Sequence, residues 1–353
     1  EEGHQYRFNI AGEEEYYSGK YKFELYEYAD DDANGLPDDY GKDYRDDGLG
    51  GIGILIENSS GVGAVTVTIP VASRAEVSGN SGDGLWIRSN GAVMVNNMNA
   101  NDNGNMGVNI TTNYDNSVIP ANVTLSGLAT NWNGDHGVGV KTLGSIVYSA
   151  STSGGNGYYA AYLDNCLPNG PESCAATVMR PVTLTKLTLE GNAYGPAVVN
   201  SFGNITAGGI ISRNNGGSGL ALYNYYTGST GTITLLGTLG QNIFENNMLA
   251  GMRLYSNGNV TLSNFVVRNN GWWYVSEEFN AGMYISAGGK VLLSSGSVEQ
   301  NQHNGILIDA YNTVTMSKLI VMNNGWEADL NGIEIYAHDK PVSLTYSLIF
   351  GNA

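Results

Sequence analysis

Apolar and polar positions alternate in short segments that recur along most of the chain. Each segment begins with Gly and continues as apolar, variable, apolar, as in Gly84-Leu85-Trp86-Ile87 and Gly305-Ile306-Leu307-Ile308. An alternation of period two predicts a short β-strand with one buried face. The tetrad begins at Gly84, Gly107, Gly137, Gly219, Gly251, Gly282, Gly305 and Gly332, with degenerate copies at Gly157 and Gly195. The mean step is about 27.6 residues, a period typical of solenoids.

A second alternating strand follows each tetrad, as in Val260-Thr261-Leu262, and a third is clearest at Phe265-Val266-Val267. An Asn-rich turn comes next, such as Asn269-Asn270-Gly271, and Asn and Gly both adopt the positive φ of sharp corners. Three short strands and three turns predict one coil of a parallel β-helix, with corner Asn residues hydrogen-bonded in ladders. An antiparallel sandwich is the alternative, although its turns do not usually repeat one Asn-Gly signature at one phase. The absence of helical segments from the repeats excludes a leucine-rich horseshoe.

The motif Asn-Gly-x-x-Gly-Leu-x-Ile, then Val-x-Leu, then Asn-Asn-Gly extends over about residues 50–353. It resembles the right-handed parallel β-helix proteins of the pectin-lyase-like type, in particular secreted bacterial proteins built from such repeats. The resemblance implies an all-β solenoid of about 10–12 coils. It implies no single function, because the fold carries polysaccharide lyases, epimerases, phage tailspikes, adhesins and bacterial surface proteins.

The first 50 residues differ from the rest, because they hold 15 of the 33 acidic residues and 5 of the 16 basic ones. Two segments, 6–10 and 21–28, alternate apolar or aromatic residues with polar ones and predict two strands. We therefore divide the chain into an acidic N-terminal β segment at 1–50, which caps the first coil or links to other sequence, and a parallel β-helix at 51–353.

An Asp-rich stretch within the N-terminal segment has the spacing of a calcium loop. Positions 1, 3, 5, 7 and 9 of such a loop would be Asp30, Asp32, Asn34, the carbonyl of Leu36, and Asp38. Position 12 is Gly41 rather than Glu, so Asp43 or Asp46 would have to supply the missing carboxylate. The prediction is a bound Ca²⁺, and the alternative is a solvated acidic turn without an ion.

Charge and cysteine content restrict the partners and the compartment. A net charge of −17 and a pI of about 4.5 argue against nucleic acid and against anionic membranes. No apolar run is long enough for a transmembrane helix, so membrane insertion is not expected. Cys166 and Cys174 flank two prolines and an Asn-Gly turn, which predicts a small disulfide loop and an extracellular address. Two free thiols in a reduced protein are the alternative.

The sequence assigns no catalytic residue. Asp135-His136 and His338-Asp339 lie at predicted turns, where a solvated side chain is the expected state. A site assembled from neighbouring coils stays open, because stacking brings residues one repeat apart into contact. Four tryptophans flank Asn corners and are expected on one edge, where they either contact a sugar or a partner protein or cover the core: Trp132, Trp272, Trp273 and Trp326.

These observations predict a secreted, non-enzymatic structural protein of the bacterial cell surface. Catalytic signatures are missing, and no polar cap follows the last predicted strand around Leu348-Ile349-Phe350. The expected partner is a second copy of the chain, stacked head to tail into a filament or sheath, or the protein forms an adhesive stalk. The alternatives are a polysaccharide lyase or epimerase, or a carbohydrate-binding adhesin that contacts extracellular polysaccharide.

Overall fold

The computed structural model consists almost entirely of β-strands. It describes residues 6–7, 26–27, 51–59, 61–68, 75–112, 120–170, 172–273, 275–325 and 330–352. The predicted calcium loop at 30–38 and Trp326 lie outside the described residues, so both stay predictions.

The strands are short, and most have four to nine residues. Strands β1 to β15 are Tyr6–Arg7, Tyr26–Glu27, Ile54–Asn58, Val65–Thr68, Ala75–Glu76, Leu85–Ser89, Val93–Asn96, Met98–Asn99, Val108–Thr111, Val123–Ser126, Val138–Lys141, Ile146–Gly154, Tyr159–Asp164, Pro168–Gly170 and Ser173–Cys174. Strands β16 to β30 are Val182–Glu190, Gly195–Asn200, Ile205–Arg213, Ala221–Asn224, Ile233–Leu236, Asn242–Glu245, Met252–Ser256, Val260–Arg268, Met283–Ala287, Val291–Glu299, Ile306–Ala310, Val314–Met322, Ile333–Tyr336, Val342–Thr345 and Leu348–Phe350. Helix α1 is a single turn at Glu277–Asn280, and a 3₁₀ turn occupies Gly237–Leu239.

Two long parallel sheets contain nearly all of these strands. Sheet A has 11 strands in the order β28-β26-β24-β22-β19-β17-β13-β11-β9-β6-β3. Sheet B has 13 strands in the order β29-β27-β25-β23-β20-β18-β16-β12-β10-β7-β4, with β21 beside β18 and β23, and β30 beside β27. Each tetrad strand pairs with the equivalent strands of the coils below and above it, so Val138 lies between Val108 and Ala161. This is the pairing of a parallel β-helix, and the 11 strands of sheet A give 11 coils, within the predicted range.

The interior follows the predicted alternation. In β6, Leu85 and Ile87 are fully buried, and in β24, Met283 and Ile285 are fully buried. Equivalent residues stack on one another from coil to coil and form one continuous apolar cluster from Ile56 to Val321. The variable residues of the tetrads point away from this cluster. Their side chains therefore form the outer surface of sheet A.

An asparagine ladder runs along one corner of the helix, as the Asn-rich turns predict. Each side-chain amide donates to the Oδ1 of the next rung at 2.8–3.0 Å. The rungs are Asn80, Asn103, Asn133, Asn156, Asn192, Asn215, Asn247, Asn270, Asn301, Asn324 and Asn352. The residue before a rung has positive φ, for example Asn214 at 57° and Asn246 at 56°. The ladder thus satisfies buried polar groups where the chain turns most sharply.

The steps between rungs alternate in length, which the mean repeat of the sequence conceals. From the first rung to the last they are 23, 30, 23, 36, 23, 32, 23, 31, 23 and 28 residues. Every second coil therefore has a constant length, and its neighbours carry the insertions. The two largest described insertions are the disulfide loop after β13 and the segment containing α1 after β23.

Candidate functional site

Nine tyrosines lie on or beside the outer surface of sheet A, and we call this surface the tyrosine face. Its members are Tyr158, Tyr159, Tyr162, Tyr194, Tyr223, Tyr225, Tyr226, Tyr255 and Tyr284. Tyr162 and Tyr284 occupy the variable position of a tetrad, and Tyr223 and Tyr255 the outward position two residues further on. The alternation that buries the apolar residues therefore turns these phenols outward.

The rings contact one another along the helix axis. Tyr158 stacks on Tyr194 with ring centroids 4.5 Å apart, and both are exposed, at 37% and 56%. Further along, Tyr255 contacts Tyr223 at 5.3 Å and Tyr284 at 5.2 Å. The face extends over five adjacent strands of sheet A, from β13 to β24, about 19 Å at roughly 4.8 Å per strand. It is a long aromatic surface rather than a closed pocket.

His136 lies among three of these rings. Its ring centroid is 5.1 Å from that of Tyr158, 5.3 Å from that of Tyr159 and 5.8 Å from that of Tyr162. The backbone N–H of Tyr159 donates to Nδ1 at 3.4 Å. Burial lowers the pKa of His136, and Lys141 adds to this effect while Asp135, 3.1 Å from Nδ1, opposes it. A neutral imidazole among phenols can accept a proton.

A second carboxylate, Asp164, lies at the end of β13. Its Oδ1 accepts the backbone N–H groups of Cys166 at 3.0 Å and Leu167 at 2.7 Å. Burial raises the pKa of Asp164, although those two N–H groups and Lys141, its register partner on β11, oppose the shift. The disulfide loop begins here, so the covalently closed loop orients this carboxyl group.

A hydrogen-bonded chain joins Asp164 to the other half of the tyrosine face. The Tyr162 hydroxyl interacts with the Asp164 carboxyl group and accepts from Asn200 Nδ2 at 3.1 Å. The Tyr226 hydroxyl donates to Asn200 Oδ1 at 2.9 Å. His136, Asp164, Tyr162 and Tyr226 thus belong to one connected site beside the strands β11, β13, β17 and β19 of sheet A.

Six phenols of this site have raised pKa values and stay protonated well above neutral pH. Burial is the main cause that raises the pKa of Tyr159, Tyr162, Tyr223, Tyr226 and Tyr255, and it raises the pKa of Tyr284 to about 12. These hydroxyls therefore serve as hydrogen-bond donors and acceptors, which are the groups that recognise sugar hydroxyls.

The structure changes the interpretation of both histidines. The expectation of a solvated His136 is wrong, because the surrounding tyrosine rings leave only 8% of the residue exposed. His338 remains largely exposed at its turn, but its Nε2 lies 2.7 Å from Asp309 Oδ1 one coil earlier rather than beside Asp339. Its ring also stacks on Tyr311 with centroids 4.2 Å apart. Contacts between coils decide both environments.

The predicted disulfide is present, and three of the predicted tryptophans are exposed. Cys166 and Cys174 are bonded, which confirms that prediction. Trp132, Trp272 and Trp273 are 68%, 53% and 64% exposed, so the interpretation that they cover the core is wrong for these three. Trp272 ends a shallow groove along the ladder corner, whose floor includes Gly191, Asn214 and Asn246. The corner is a second, smaller surface apart from the tyrosine face.

Sequence reasoning missed the tyrosine face, Asp164 and Arg253. The sequence does contain a signal for this surface. Tyr162, Arg253 and Tyr284 occupy outward positions of sheet A strands, where most other coils have a residue without an aromatic ring or a positive charge. Within the described residues, no group of three or more His, Cys, Asp or Glu is placed to hold a metal ion. Among the described helices, none has the length and apolar character needed to cross a bilayer.

Comparisons with known proteins concern the fold. The family described as "Right handed beta helix region" matches residues 197–353. The A-module of the Azotobacter vinelandii mannuronan C-5 epimerase AlgE4 is 13% identical, with 87% of this chain and 88% of that one covered and a TM-score of 0.44. The AlgE6 A-module of the same organism is 12% identical, with 87% and 93% covered and a TM-score of 0.34. At these values neither structure carries an argument about chemistry.

No curated protein is significantly similar to the chain in sequence. The family match and the parallel pairing of equivalent strands agree with each other. The protein is a right-handed parallel β-helix.

Proposed function

We propose that the protein binds an extended polysaccharide along the tyrosine face. The observation that carries this proposal is a pair of ring clusters on the outside of five adjacent strands, one around Tyr158 and Tyr194 and the other from Tyr223 to Tyr284, which Asn200 joins through hydrogen bonds. Aromatic rings pack against the apolar faces of sugar rings, and phenol hydroxyls bond to sugar hydroxyls. A rigid β-helix holds these groups at fixed spacing, so a linear chain of sugars contacts many of them at once without ordering the protein further.

Removal of the exposed ring pair tests the binding surface. We expect Tyr158→Ala and Tyr194→Ala each to weaken the binding of the best hexasaccharide roughly tenfold, because a stacking platform is lost. The probes are hexasaccharides of cellulose, mannan, polygalacturonate and alginate, with affinities measured by isothermal titration calorimetry.

Trp132→Ala is the matched control, because it removes an exposed aromatic ring from the ladder corner. Unchanged affinity in this variant, with loss in the tyrosine variants, supports the tyrosine face. Loss in Trp132→Ala or Trp272→Ala with no effect of the tyrosine substitutions would assign binding to the corner groove instead. Absence of binding to every probe would overturn the proposal.

A second candidate function, polysaccharide lyase or epimerase, is favoured by the environment of His136. Both reactions remove a proton from a sugar ring carbon, which requires a base and a nearby acid. Burial lowers the pKa of His136, which favours its neutral form at pH 7, and the rings of Tyr159 and Tyr162, whose pKa values burial raises, lie beside it. In this proposal His136 accepts the ring proton and a tyrosine hydroxyl donates one.

We expect His136→Gln to lower turnover at least about 100-fold with little change in affinity, because general base catalysis is lost but the aromatic surface remains. The measurement is deuterium exchange into bound uronate hexasaccharides in D₂O, followed by NMR, together with absorbance of unsaturated products. Since the pKa of His136 is lowered, the acid limb of the pH profile should lie below pH 6.5. His338→Gln is the control. No exchange in the wild-type protein would contradict this second function and leave binding alone. Equal rates in the two variants would contradict the role of His136 as the base.

Head-to-tail assembly into a filament or sheath remains a separate proposal, as do the adhesive stalk, the extracellular address and bound Ca²⁺. The described last coil exposes apolar side chains of β29 and β30, including Val342, Leu344 and Phe350. Any unstacked coil exposes such residues, because the next coil is what covers them. Electron microscopy of the protein at increasing concentration would distinguish isolated rods from fibres.

A further inference from the structure

We infer that the bound polysaccharide is anionic and that Arg253 receives one of its carboxylate groups. This inference rests on the proposed binding along the tyrosine face. It adds the class of sugar and one residue that determines specificity.

Arg253 lies in the middle of the second half of the tyrosine face. It occupies the variable, outward position of the tetrad on β22, and its register partners are Ala221 on β19 and Tyr284 on β24. Tyr255 follows two residues later on the same strand and also points outward. A glycan lying on these rings therefore passes next to the guanidinium group.

The guanidinium group is held in place before any ligand arrives. Its central carbon lies 3.5 Å from the centroid of the Phe279 ring, which the α1 insertion places over the sheet. Nη2 donates to the Tyr255 hydroxyl at 3.0 Å, and that hydroxyl donates to Glu278 Oε2 at 3.0 Å. Glu278 is thus connected to Arg253 through the Tyr255 hydroxyl. A stacked and hydrogen-bonded arginine loses little side-chain entropy on binding.

Its positive charge lacks a direct carboxylate partner among the residues that the structure describes. Arg253 Nε is buried there without a hydrogen-bond partner. By contrast, Arg268 on sheet B lies 2.6 Å from Glu245, and Arg213 lies within 4 Å of both Glu190 and Glu245. The planar fork of an arginine matches a carboxylate in two parallel hydrogen bonds. Since Nε is covered and Nη2 already donates to Tyr255, a carboxylate on the tyrosine face would bind through the remaining N–H groups at the end of the guanidinium group.

The net negative charge of the protein makes the position of Arg253 informative about the charge of the ligand. With a net charge of −17, the chain repels a polyanion at long range. Recognition of an acidic sugar therefore needs a local cation on the binding surface, whereas a neutral sugar gains nothing from one. A preorganised arginine on this face, without a direct carboxylate partner among the described residues, fits a uronate-type polymer.

The test compares each sugar with and without its charge. Hexamers of polygalacturonate and of alginate are used as free acids and as methyl esters, which keep the ring shape and remove the carboxylate charge. We expect the wild-type protein to bind at least one free acid about 10- to 100-fold more tightly than its ester, and Arg253→Gln to abolish that difference by weakening the acid alone. Arg253→Lys should keep part of the preference, because it retains the charge without the fork.

Arg268→Gln is the matched control, because it removes a paired arginine from the other sheet and should leave both affinities unchanged. Equal binding of acids and esters by the wild-type protein, or a preserved preference in Arg253→Gln, would overturn the inference while the tyrosine face remains a glycan site. No binding of any form would instead contradict the proposed function itself. Circular dichroism spectra that match the wild type ensure that each variant is folded.

Discussion

Replacing Asn133 by Ala is expected to destabilise the folded protein by about 3 kcal/mol, because it removes one rung from the buried ladder. The Asn133 amide donates to the Ala100 carbonyl at 3.0 Å and to Asn156 Oδ1 at 2.9 Å. Its Oδ1 accepts both the backbone N–H and the side-chain amide of Asn103, at 3.1 and 2.9 Å. The Asn103 backbone N–H loses its partner in a buried site, which costs more than the net value of a typical hydrogen bond.

Equilibrium urea unfolding followed by circular dichroism measures this loss. The control is Asn131→Ala at the same corner, where the side chain is partly exposed and its amide makes one hydrogen bond, to Asn101 at 3.1 Å. We expect less than about 1 kcal/mol for the control. Equal effects of the two substitutions would show that the ladder contributes no more than a surface amide.

A methyl group at Gly107 is expected to destabilise the fold by at least about 3 kcal/mol. An added Cβ would lie 2.7 Å from the Gly137 carbonyl oxygen of the next coil, 2.8 Å from the Ala100 carbonyl oxygen and 2.8 Å from Asn133 Nδ2. These are backbone and ladder atoms, which cannot move without separating the coils. The first residue of the tetrad is therefore Gly because the ladder occupies the space that a side chain would need.

Gly191→Asn is the control for this prediction. Gly191 has a φ of 69°, and the atom nearest to an added Cβ is 3.9 Å away. The next coils hold Asn214 and Asn246 in the same conformation at the same corner. We expect a change within about 0.5 kcal/mol by urea unfolding, because Asn adopts this region readily. A small effect at Gly107, comparable to that of the control, would contradict the role assigned to the tetrad glycine.

The fold was predictable because its signals are local in sequence. The four residues of a tetrad, such as Gly84 to Ile87, predict which side chains are buried, and the Asn-Gly turns predict where the chain bends. The Cys166–Cys174 disulfide was also predictable, because the two cysteines are eight positions apart and the seven residues between them include two prolines and an Asn-Gly turn. The alternating step length was not, because a mean over all tetrads combines constant coils with coils that carry insertions.

The candidate site was not predictable in the same way, because its contacts join residues on different coils. His136 was expected in solvent, since the residues next to it in sequence are polar. Tyr159 and Tyr162, which bury it, lie 23 and 26 positions later. Arg253 and Phe279 are likewise 26 positions apart, and Phe279 lies within the α1 insertion. Assigning these contacts requires the length of each coil, which the sequence pattern does not give.

Alternating coil lengths bear on how such a chain lengthens or shortens over evolution. Adjacent coils are only about 4.8 Å apart, whereas a packed layer of side chains occupies about 10 Å, so loops on successive coils would collide. Loops on every second coil have the room they need. Duplication of a single insertion-bearing coil would bring two large loops together, whereas duplication of a pair would preserve their spacing. A pair of coils is therefore the unit whose duplication preserves the spacing of the loops. One coil of the pair keeps a constant length, and the other carries the insertions that form new surfaces.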